Sequence, residues 1–384
     1  MRSAWLYIDL EAVRANVRAV QAWVGPGVRV MPIVKANAYG HGLEPVARAC
    51  TEAGAEWLGV AIPDEAITLR EAGVESRILV LGACDPDSAG DMVRYSVDCA
   101  VSTPEAVRAL SLAAQAHGKP ARVHAKIDSG MGRVGVLPGE AESLFAGIAA
   151  APGLEWAGLM THFAASDAVD LAFSREQWAR FAAAIPVALR LRRSADPLMV
   201  HAANSAATCR MPDTRAPMLG VRHMVRPGLL TYGVPAAPGE RPLLRQAVTL
   251  TARIPQVRTV PAGATVSYGA TFTTRRESRL AVVPLGYADG YPRAASNRAS
   301  VLLRGRRVPV VGRICMDQFV IDATDTGAEI GDEVVLLGAQ GDGVISVEEV
   351  AAWGDTIHHE VMARFSARLP RLYGGLEPTP NPVG

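Results

Sequence analysis

The segment VMPIVKANAYGHG, residues 30 to 42, runs from an apolar, β-branched stretch directly into one lysine and a glycine-containing turn. Val30, Ile33 and Val34 predict a fully buried strand, and Lys35 stands at its end. A lysine at that point keeps its ammonium group in water or in a pocket, because charged side chains are seldom buried without a partner. From this segment alone, a functional lysine in a pocket is no better supported than an ordinary one, whose aliphatic stem lies on apolar surface while its amine stays in solvent.

Seven more β-rich runs follow this first one, and the segments between them carry the three- and four-residue apolar spacing of helices. The predicted strands are residues 28–34, 57–61, 77–81, 98–101, 122–127, 154–160, 198–202 and 223–226. The clearest predicted helices are residues 43–54, 63–73, 103–118 and 174–193. Alternating strands and helices are typical of a parallel sheet, and eight pairs predict an α/β fold, a (β/α)8 TIM barrel.

The pattern changes after a cluster of Pro and Gly at residues 234–242. The predicted strands beyond it lie in residues 245–257, 279–287, 300–312, 318–324 and 332–338, with a short helix near residues 346–354. Strands without comparable helices predict a second, mainly antiparallel β-domain. We therefore predict a barrel domain over residues 1–237 and a β-domain over residues 238–384, and leave open whether residues 1–8 pair with the β-domain.

The charge balance of the chain argues against several classes of partner. Its 384 residues include 39 basic and 38 acidic side chains, so a net charge of +1 gives no electrostatic footprint for nucleic acid or an anionic membrane. No apolar run is long enough to span a bilayer. A small neutral or zwitterionic ligand is the better expectation.

The cysteines and the first residues predict a cytoplasmic protein without a metal site. Five cysteines lie far apart with no C-x-x-C pair, which argues against a disulfide framework or a zinc site and predicts reduced thiols. Acids at Asp9 and Glu11 follow only a short apolar run, so we expect no signal peptide. His358 and His359 are adjacent and on a helix point apart, which predicts surface or domain-contact residues rather than a metal pair.

Polar residues recur where the predicted barrel strands end. They are Lys35 after the first strand, Lys126, Asp128 and Arg133 at the fifth, His162 after the sixth, Asn204 and Ser205 after the seventh, and Arg226 and Gly228 at the eighth. Chemistry in such barrels gathers on this face, and the loops after the last two strands are the usual phosphate site. Each Asn, Ser or Gly alone is an ordinary turn residue. A reactive lysine beside a phosphate cradle predicts pyridoxal phosphate, held by Lys35 as a Schiff base.

A second pattern points to a different cofactor. GMGRVG, residues 130–135, fits the dinucleotide pattern G-x-G-x-x-G and follows a predicted strand. Pro138 and Gly139 interrupt the helix that this motif should open. We therefore do not expect nicotinamide binding.

Several separate motifs resemble those of one family. They are VKANAYGHG, KIDSGMGRVG, THFA, HAANSAA, RPGLLTYG, SYGATF, GYADGYPR and GRICMDQ, and they extend over nearly the whole chain. On these motifs the sequence resembles the alanine racemases, barrel-type enzymes that use pyridoxal phosphate. The resemblance implies a head-to-tail homodimer, with active sites shared between subunits, that interconverts L-alanine and D-alanine and supplies D-alanine for peptidoglycan.

The resemblance also implies roles for individual residues. It implies contacts with the cofactor for Lys35, Tyr39, Arg133, His162, Asn204, Ser205, Arg226, and the backbone around Gly228 and Leu229. Arg226 would face the pyridine nitrogen, and Arg133 would face the ring hydroxyl. The substrate carboxylate would meet Arg133 and the backbone amide of Met316. The access corridor would be lined by Asp167, Tyr287, Arg293 and Arg313.

Racemisation needs a proton acceptor and donor on each face of the substrate Cα. By the resemblance, Lys35 serves one face and Tyr268 of the other subunit serves the opposite face, with His162 in the network that tunes the tyrosine. Lys126 matches a lysine that is carbamylated in some members. Ala367 stands where some members have a phosphate-binding tyrosine, although Tyr373 follows.

Three alternatives stay open at this point. A barrel-type amino-acid decarboxylase shares the lysine, the cofactor and the two-domain plan. A non-catalytic pyridoxal phosphate carrier needs only a barrel, and the predicted β-domain argues against it. A racemase of serine or another small amino acid would use the same residues.

Overall fold

The computed structural model describes residues 3–192 and 194–374. These residues form two compact units. The barrel unit comprises residues 13–38 with the described part of 43–245, and the β unit comprises residues 3–12, 39–42 and 246–374. The domain boundary between residues 237 and 238 stays a prediction.

Twenty strands lie in the described part of the chain. They are β1 Ala4–Asp9, β2 Val28–Val30, β3 Trp57–Val60, β4 Arg77–Val80, β5 Asp98–Val101, β6 Ala121–Lys126, β7 Leu154–Met160, β8 Leu198–His201, β9 Val221–Val225, β10 Val248–Arg253, β11 Gln256–Val260, β12 Thr265–Val266, β13 Phe272–Thr273, β14 Ser278–Val283, β15 Ser300–Leu303, β16 Arg306–Val311, β17 Phe319–Asp322, β18 Glu333–Gln340, β19 Gly343–Ile345 and β20 Arg371–Gly374.

Twelve helical segments and several 3₁₀ turns join these strands. The helical segments are α1 Leu10–Val24, α2 Lys35–Tyr39, α3 Leu43–Glu52, α4 Pro63–Glu71, α5 Ala89–Arg94, α6 Pro104–His117, α7 Ala141–Ala150, α8 Ala172–Ala182, α9 Ile185–Leu191, α10 Ser205–Arg210, α11 Val347–Trp353 and α12 His358–Ala363. The 3₁₀ turns are Pro86–Ser88, Pro138–Glu140, Pro212–Arg215, Leu229–Tyr232, Tyr268–Ala270, Tyr287–Asp289 and Arg293–Ala295.

The barrel unit contains an eight-stranded parallel sheet, in the order β2, β9, β8, β7, β6, β5, β4, β3. Its two end strands meet just after β2, where Val34 donates its N–H to the Gly59 carbonyl at 2.8 Å and Gly59 donates to the Pro32 carbonyl at 2.9 Å. The eight strands thus form a nearly closed barrel, as predicted.

Helix α6 illustrates how the local sequence sets the barrel helices. The Thr103 hydroxyl accepts the Ala106 N–H at 3.2 Å, and Pro104 begins the helix, where its missing N–H leaves no hydrogen bond unmade. Gly118 ends the helix in the left-handed region, at φ 61°. These residues bound the helix that the sequence predicts over residues 103–118.

In the β unit, the segments predicted as strands at residues 245–257 and 300–312 each contain two strands in whole or in part, β10 with β11 and β15 with β16.

In the barrel unit, two predicted elements differ from the structure. The first predicted strand, residues 28–34, is regular only to Val30, because Pro32 has no N–H for the ladder, although Ile33 still bridges to Gly59. The predicted helix over residues 174–193 is two helices, α8 and α9, and Pro186 lies in the first turn of the second. A proline there cannot continue an earlier helix because its ring clashes with the preceding turn. Residue 193 itself lies outside the described residues.

The β unit contains a ten-stranded sheet, with β19 paired to β18 and the other strands in the order β11, β14, β17, β16, β15, β18, β10, β1, β20. Its pairs are antiparallel except for that of β1 with β20. The mainly antiparallel β-domain is therefore confirmed. Leu6 in β1 lies opposite Leu250 in β10 and Arg371 in β20, so the first strand of the chain belongs to this sheet.

The predicted short helix of the β unit is α11. The Ser346 hydroxyl accepts the Glu349 N–H at 3.2 Å, and the Glu349 carboxylate accepts the Ser346 N–H at 3.1 Å. This reciprocal pair satisfies two N–H groups that the first turn of a helix otherwise leaves unpaired. Across residues 3–192 and 194–374, no helix is both long enough and apolar enough to cross a membrane.

Candidate active site

The barrel brings the predicted polar residues to the carboxyl ends of its strands. Lys35 follows the strand that begins with β2, Lys126 ends β6, His162 follows β7, Ser205 follows β8 and Arg226 follows β9. The carboxyl ends of parallel barrel strands share one face, which is where barrel enzymes carry their chemistry. These five residues therefore lie on the face expected of an active site.

Neighbouring cations affect both lysines at this end of the barrel. Burial, and then the charge of Arg133, lower the pKa of Lys35. Burial, and then the charges of Arg226, Arg133 and Lys35, lower the pKa of Lys126 to about 8. An excess of positive charge in a confined site favours an anionic ligand.

Lys126 is the more enclosed of the two lysines. Its side chain is 5% exposed, and Nζ donates to the Leu81 carbonyl beyond β4 at 2.8 Å. Lys35 is half-buried. The two amines therefore differ in access to ligand, since only Lys35 retains an appreciable open surface.

The chain after Lys35 turns in the left-handed sense. Residues 36–39 have φ between 51° and 53°, which in L-residues costs roughly 1–2 kcal/mol each. Two hydrogen bonds hold this turn: Leu43 donates its N–H to Asn37 Oδ1, and Ala38 donates to the Val34 carbonyl, both at 2.8 Å. A strained segment persists only where its surroundings fix it, and such segments concentrate at functional sites.

Glu65, in the first turn of α4, also fixes this turn. Its Oε1 accepts the Ala36 N–H at 2.5 Å, and its Oε2 accepts the Ala61 N–H at 2.8 Å. Its charge opposes the other influences on Lys35 by raising the lysine pKa. Glu65 could not be recognised from the sequence, because an acid in a first helical turn is commonplace and carries no distinct signal.

Arg226 is the most enclosed cation of the site, at 3% exposure. It donates to three carbonyl oxygens, those of His201 at 2.6 Å, Thr161 at 2.7 Å and Ala202 at 3.0 Å. It also faces two imidazole nitrogens, His201 Nδ1 at 3.1 Å and His162 Nδ1 at 3.2 Å. Burial lowers the pKa of Arg226 to about 9, so the guanidinium stays charged at neutral pH.

His162 faces this guanidinium as a neutral ring. Burial, and then the charge of Arg226, lower the pKa of His162 well below its usual value. Because Arg226 has only N–H donors, Nδ1 of His162 accepts and its single proton lies on Nε2. Asp167, further along the same loop, is exposed.

The loops after β8 and β9 meet at the Ser205 hydroxyl. Its oxygen accepts the N–H groups of Gly228 at 2.8 Å and Leu230 at 3.4 Å, and Ser205 is 6% exposed. Leu229 lies between these two donors and begins a 3₁₀ turn. The predicted phosphate residues Ser205, Gly228 and Leu229 are thus in one place, with backbone N–H groups directed to a single oxygen.

The side chain of Asn204 caps helix α10. Its Oδ1 accepts the Ala207 N–H at 3.0 Å and the Ser166 hydroxyl at 2.8 Å. These bonds cap the helix that Ser205 begins.

The glycine-rich segment after β6 is organised around the Asp128 carboxylate. It accepts four backbone N–H groups, those of Gly130, Met131, Gly132 and Arg133, at 2.7 to 3.0 Å. Burial alone would raise the pKa of Asp128, but these donors lower it below its usual value. The amides that a dinucleotide phosphate would need are therefore engaged by the chain's own carboxylate.

Tyr39 lies in the β unit and is buried, and this burial raises the pKa of Tyr39 to about 12. Its ring lies 5.7 Å from that of His359, centroid to centroid. A Cβ on Gly42 would lie 2.0 Å from the Tyr373 hydroxyl, so the C-terminal strand closely approaches this turn. Ala367, at the position of the family tyrosine, is exposed.

Three motifs of the β unit converge on one exposed patch. The Ser267 hydroxyl donates to the Arg313 carbonyl at 2.7 Å, and Tyr287 donates its N–H to the Cys315 carbonyl at 3.1 Å. A Cβ on Gly286 would lie 2.3 Å from the Cys315 oxygen, which explains a glycine there. We call this exposed set the β patch, and its members are Tyr268, Tyr287, Arg293, Arg313 and Met316.

The backbone at the β patch is also left-handed in places. Ser267 has φ 62° and Ala270 has φ 46°, on either side of Tyr268. The Tyr268 side chain is 74% exposed. In the described part of the chain, no three His, Cys, Asp or Glu side chains are arranged to hold a metal ion.

Comparisons with known proteins agree over nearly the whole chain. Residues 8–236 match the alanine racemase N-terminal domain, and residues 247–373 match the alanine racemase C-terminal domain. The alanine racemase of Symbiobacterium thermophilum is 43% identical over 378 residues, which cover 98% of each chain. That of Desulforamulus reducens is 42% identical over 380 residues, covering 97% of this chain and 99% of the other.

Solved structures of similar proteins have the same fold. The alanine racemase of a D-cycloserine producing Streptomyces lavendulae superposes with a TM-score of 0.90, at 41% identity over 98% of both chains. The Bacillus anthracis alanine racemase with bound L-Ala-P gives a TM-score of 0.86 at 35% identity, covering 98% of this chain and 96% of the other. The barrel and β unit together are thus those of a two-domain racemase class. The chain belongs to the alanine racemase family.

Proposed function

We propose that the protein is an alanine racemase that uses pyridoxal phosphate. The observation that carries this proposal is the amine of Lys35, which a left-handed turn fixes at the end of a barrel strand and whose pKa burial and the charge of Arg133 lower. A lowered lysine pKa favours the neutral amine, which is the form that attacks a carbonyl. The family match supports alanine as the substrate.

The donor set of the barrel end fits pyridoxal phosphate. Ser205 and the N–H groups of Gly228 and Leu229 would hold the phosphate, and Tyr39 would donate to it because its hydroxyl stays protonated. Arg226 has only donors to offer the ring nitrogen. When bound, the cofactor supplies the electron sink that makes the substrate Cα–H acidic.

The remaining cofactor residues act around that set. Arg133 would contact the ring hydroxyl. His162, which is neutral, would lie beside Arg226 at the cofactor. Asn204 would support the phosphate site through α10, since its side chain caps that helix.

Two residues would move the substrate proton. Lys35 takes or returns it on one face, and Tyr268 of the partner subunit does so on the other. A side chain that is 74% exposed in its own chain suits a role in a second copy, and it supports a head-to-tail homodimer. His162 would assist the tyrosine through the network of Arg226.

The substrate carboxylate would be held by Arg133 and by the backbone N–H of Met316. The rest of the β patch, together with Asp167, would line the access corridor. The exposure of these residues in the single chain supports that role, because a corridor must be reached from solvent. The family resemblance implies a narrow, charged entrance, which would favour a small amino acid.

Lys126 is the proposed site of carbamylation. Carbon dioxide adds to a neutral amine, forming an N–C bond and releasing one proton, and a pKa of about 8 leaves an appreciable neutral fraction near neutral pH. The product would replace a cation by an anion next to Arg133. We place the enzyme in the cytoplasm, where it would supply D-alanine for peptidoglycan.

Proton NMR and chiral analysis of L-alanine incubated with the purified protein in D₂O test the proposed function. We expect deuterium at Cα together with D-alanine. Release of carbon dioxide would instead support a decarboxylase. An unchanged alanine spectrum, with cofactor bound, would exclude alanine and direct the same assay to serine.

A further inference from the structure

Buried polar groups cross the barrel interior from the start of β5 to Arg226. Asp98 Oδ2 lies 3.3 Å from His124 Nε2, and His124 Nδ1 lies 2.8 Å from His201 Nε2. His201 Nδ1 lies 3.1 Å from Nη1 of Arg226. Both imidazoles are fully buried, and Asp98 is 2% exposed. We call Asp98, His124, His201 and Arg226 the barrel chain.

Only one placement of protons satisfies every bond of the barrel chain. Asp98 pairs with Arg77 at 3.0 Å and, as a carboxylate, can only accept, so His124 carries its proton on Nε2. Nδ1 of His124 is then a lone pair that accepts from Nε2 of His201. His201 in turn presents a lone pair at Nδ1 to Arg226, which has only donors.

The reverse placement sets two donors against each other. If His201 carried its proton on Nδ1, that N–H would face the N–H groups of Arg226. A second proton on His201 is also disfavoured, because burial, and then the proximity of His124 and Arg226, lower its pKa well below the usual value. The carboxylate at one end and the guanidinium at the other therefore favour the same placement, in which an unprotonated Nδ1 of His201 faces Arg226.

The backbone of β7 makes room for the His124 ring. A Cβ on Gly158 would lie 2.1 Å from His124 Nδ1, so no other residue fits without moving the ring. The pairing of β6 with β7 also shifts register between Val123 and His124. Bulges and strand glycines often mark places where a side chain is aimed or closely approached.

We propose that Asp98, His124 and His201 are positioning residues that fix the orientation of Arg226 through the tautomers of the barrel chain. Bonds to His201, His162 and backbone carbonyls then engage both terminal nitrogens of Arg226, which cannot rotate without breaking them. This inference deepens the proposed function and rests on it, because there Arg226 faces the ring nitrogen of the cofactor.

The test is nitrogen NMR of the full-length holoenzyme, labelled at the ring nitrogens of its eight histidines. Signals are assigned by losing them one at a time in His124→Gln and His201→Gln. We expect both rings to carry the proton on Nε2. In Asp98→Leu, only the guanidinium still opposes the reverse placement of protons. We therefore expect part of His201 to carry its proton on Nδ1, with Arg226 turned away from it. We also expect kcat to fall roughly tenfold or more, as for a lost hydrogen bond to a charged group.

Two other variants separate positioning from a general structural role. Asp98→Asn keeps an acceptor oxygen, so it should retain the wild-type tautomers and most of kcat. Gly158→Ala keeps all four groups of the barrel chain but displaces the His124 ring, so it should also give a mixture of His201 tautomers. This variant provides the same test if Asp98→Leu does not fold. His223→Gln is the matched control, because His223 is buried in β9 opposite Val200 and should leave both tautomers unchanged.

The barrel chain and the proposed function can fail separately. A proton on Nδ1 of His201 in the wild type would overturn the inference, as would unchanged tautomers and kcat in both Asp98→Leu and Gly158→Ala. The predicted tautomers in a protein that makes no D-alanine would support the positioning of Arg226 and refute only the racemase.

Discussion

The barrel end and the β patch hold their candidate residues in opposite ways. At the barrel end, Arg226 and Lys126 are nearly enclosed, and the chain's own carbonyls and imidazoles bond their donors. In the β patch, Tyr268 is 74% exposed and Met316 is 52% exposed. The chain thus completes the first region by itself and leaves the second open.

This difference indicates which parts of the site one chain can organise. Buried groups with fixed hydrogen bonds are positioned before any ligand arrives, which is how sites gain precision. Exposed groups on strained loops gain their partners only when another surface covers them. We therefore expect changes at the barrel end to act within one subunit, on activity, cofactor binding and stability. We expect a change at Tyr268 to act on proton transfer in the partner subunit.

The largest expected effect is that of Lys35→Ala at the barrel end. Without the amine, the proposed cofactor loses its covalent attachment and one face of the substrate loses its base. We expect at least about a 1,000-fold loss of racemisation, within the range for removal of an acid–base group combined with lost attachment. Chiral analysis of alanine measures the loss, and absorbance of the bound cofactor reports attachment. Retention of activity within tenfold would contradict the assignment of Lys35.

Tyr268→Phe should give a smaller and directional loss. The hydroxyl serves only one face in the proposed scheme, so we expect a loss of roughly 100-fold or more in proton abstraction from one enantiomer and a much smaller loss from the other. Deuterium exchange into each pure enantiomer, measured before racemisation, separates the two. Equal losses for both enantiomers would show that the two faces do not have distinct bases.

Lys126 should make stability depend on pH. Its pKa of about 8 in the folded chain lies below the usual 10.5, so between these values the unfolded chain binds more protons and the free energy of unfolding rises with pH. The full rise amounts to about 3 kcal/mol, present above pH 10.5 and lost as pH falls to 8. Denaturant unfolding in buffer free of carbon dioxide measures it. Lys126→Met should flatten this rise, and an unchanged rise in that variant would contradict the account.

Glu65→Ala should loosen the turn that carries Lys35. It leaves the N–H groups of Ala36 and Ala61 without their acceptor, which should lower the free energy of unfolding by about 1–3 kcal/mol and weaken cofactor retention. Asp64→Ala, at the exposed neighbouring position, is the matched control and should change stability by less than about 0.5 kcal/mol. Equal losses of stability and cofactor retention in the two variants would show that Glu65 does not hold the turn of Lys35.

The smallest effect should come from Ala270→Gly, two residues after Tyr268 of the β patch. Glycine relieves the left-handed strain at φ 46° but gains entropy in the unfolded chain, so we expect a net stabilisation of about 0.5 kcal/mol. Ala294→Gly, in the 3₁₀ turn Arg293–Ala295 without a left-handed φ, should instead destabilise by about 0.5–1 kcal/mol. Thermal unfolding of both variants compares them, and destabilisation by both would show that position 270 is not strained.

The sequence predicted the fold and the placement of the barrel residues because both depend on local pattern. β-branched runs and helical spacing specify the eight strands, and the polar residue after each strand follows from the barrel's geometry. The sequence did not reveal the left-handed turn at residues 36–39, because Asn37 is the only one of its four residues whose type favours positive φ.

The sequence also did not reveal the barrel chain. Asp98, His124 and His201 lie within predicted strands, and their only signal is a titratable residue at a position where a barrel interior expects an apolar one. Their bonds join residues as far as 77 positions apart, which only the closed sheet brings together. Tyr268 was identified by family resemblance alone, since an exposed tyrosine in a glycine-containing turn gives no other sign of a catalytic role.

Complementation between two inactive variants tests most directly whether the barrel end and the β patch of different subunits form one site. Lys35→Ala and Tyr268→Phe are co-refolded in equal amounts and assayed against each variant alone. A hybrid dimer with shared sites has one intact Lys35 and Tyr268 pair, so the mixture should recover roughly a quarter of wild-type activity. If Tyr268 instead formed a site with Lys35 of its own chain, the mixture would be no more active than either variant alone. That result would contradict the account.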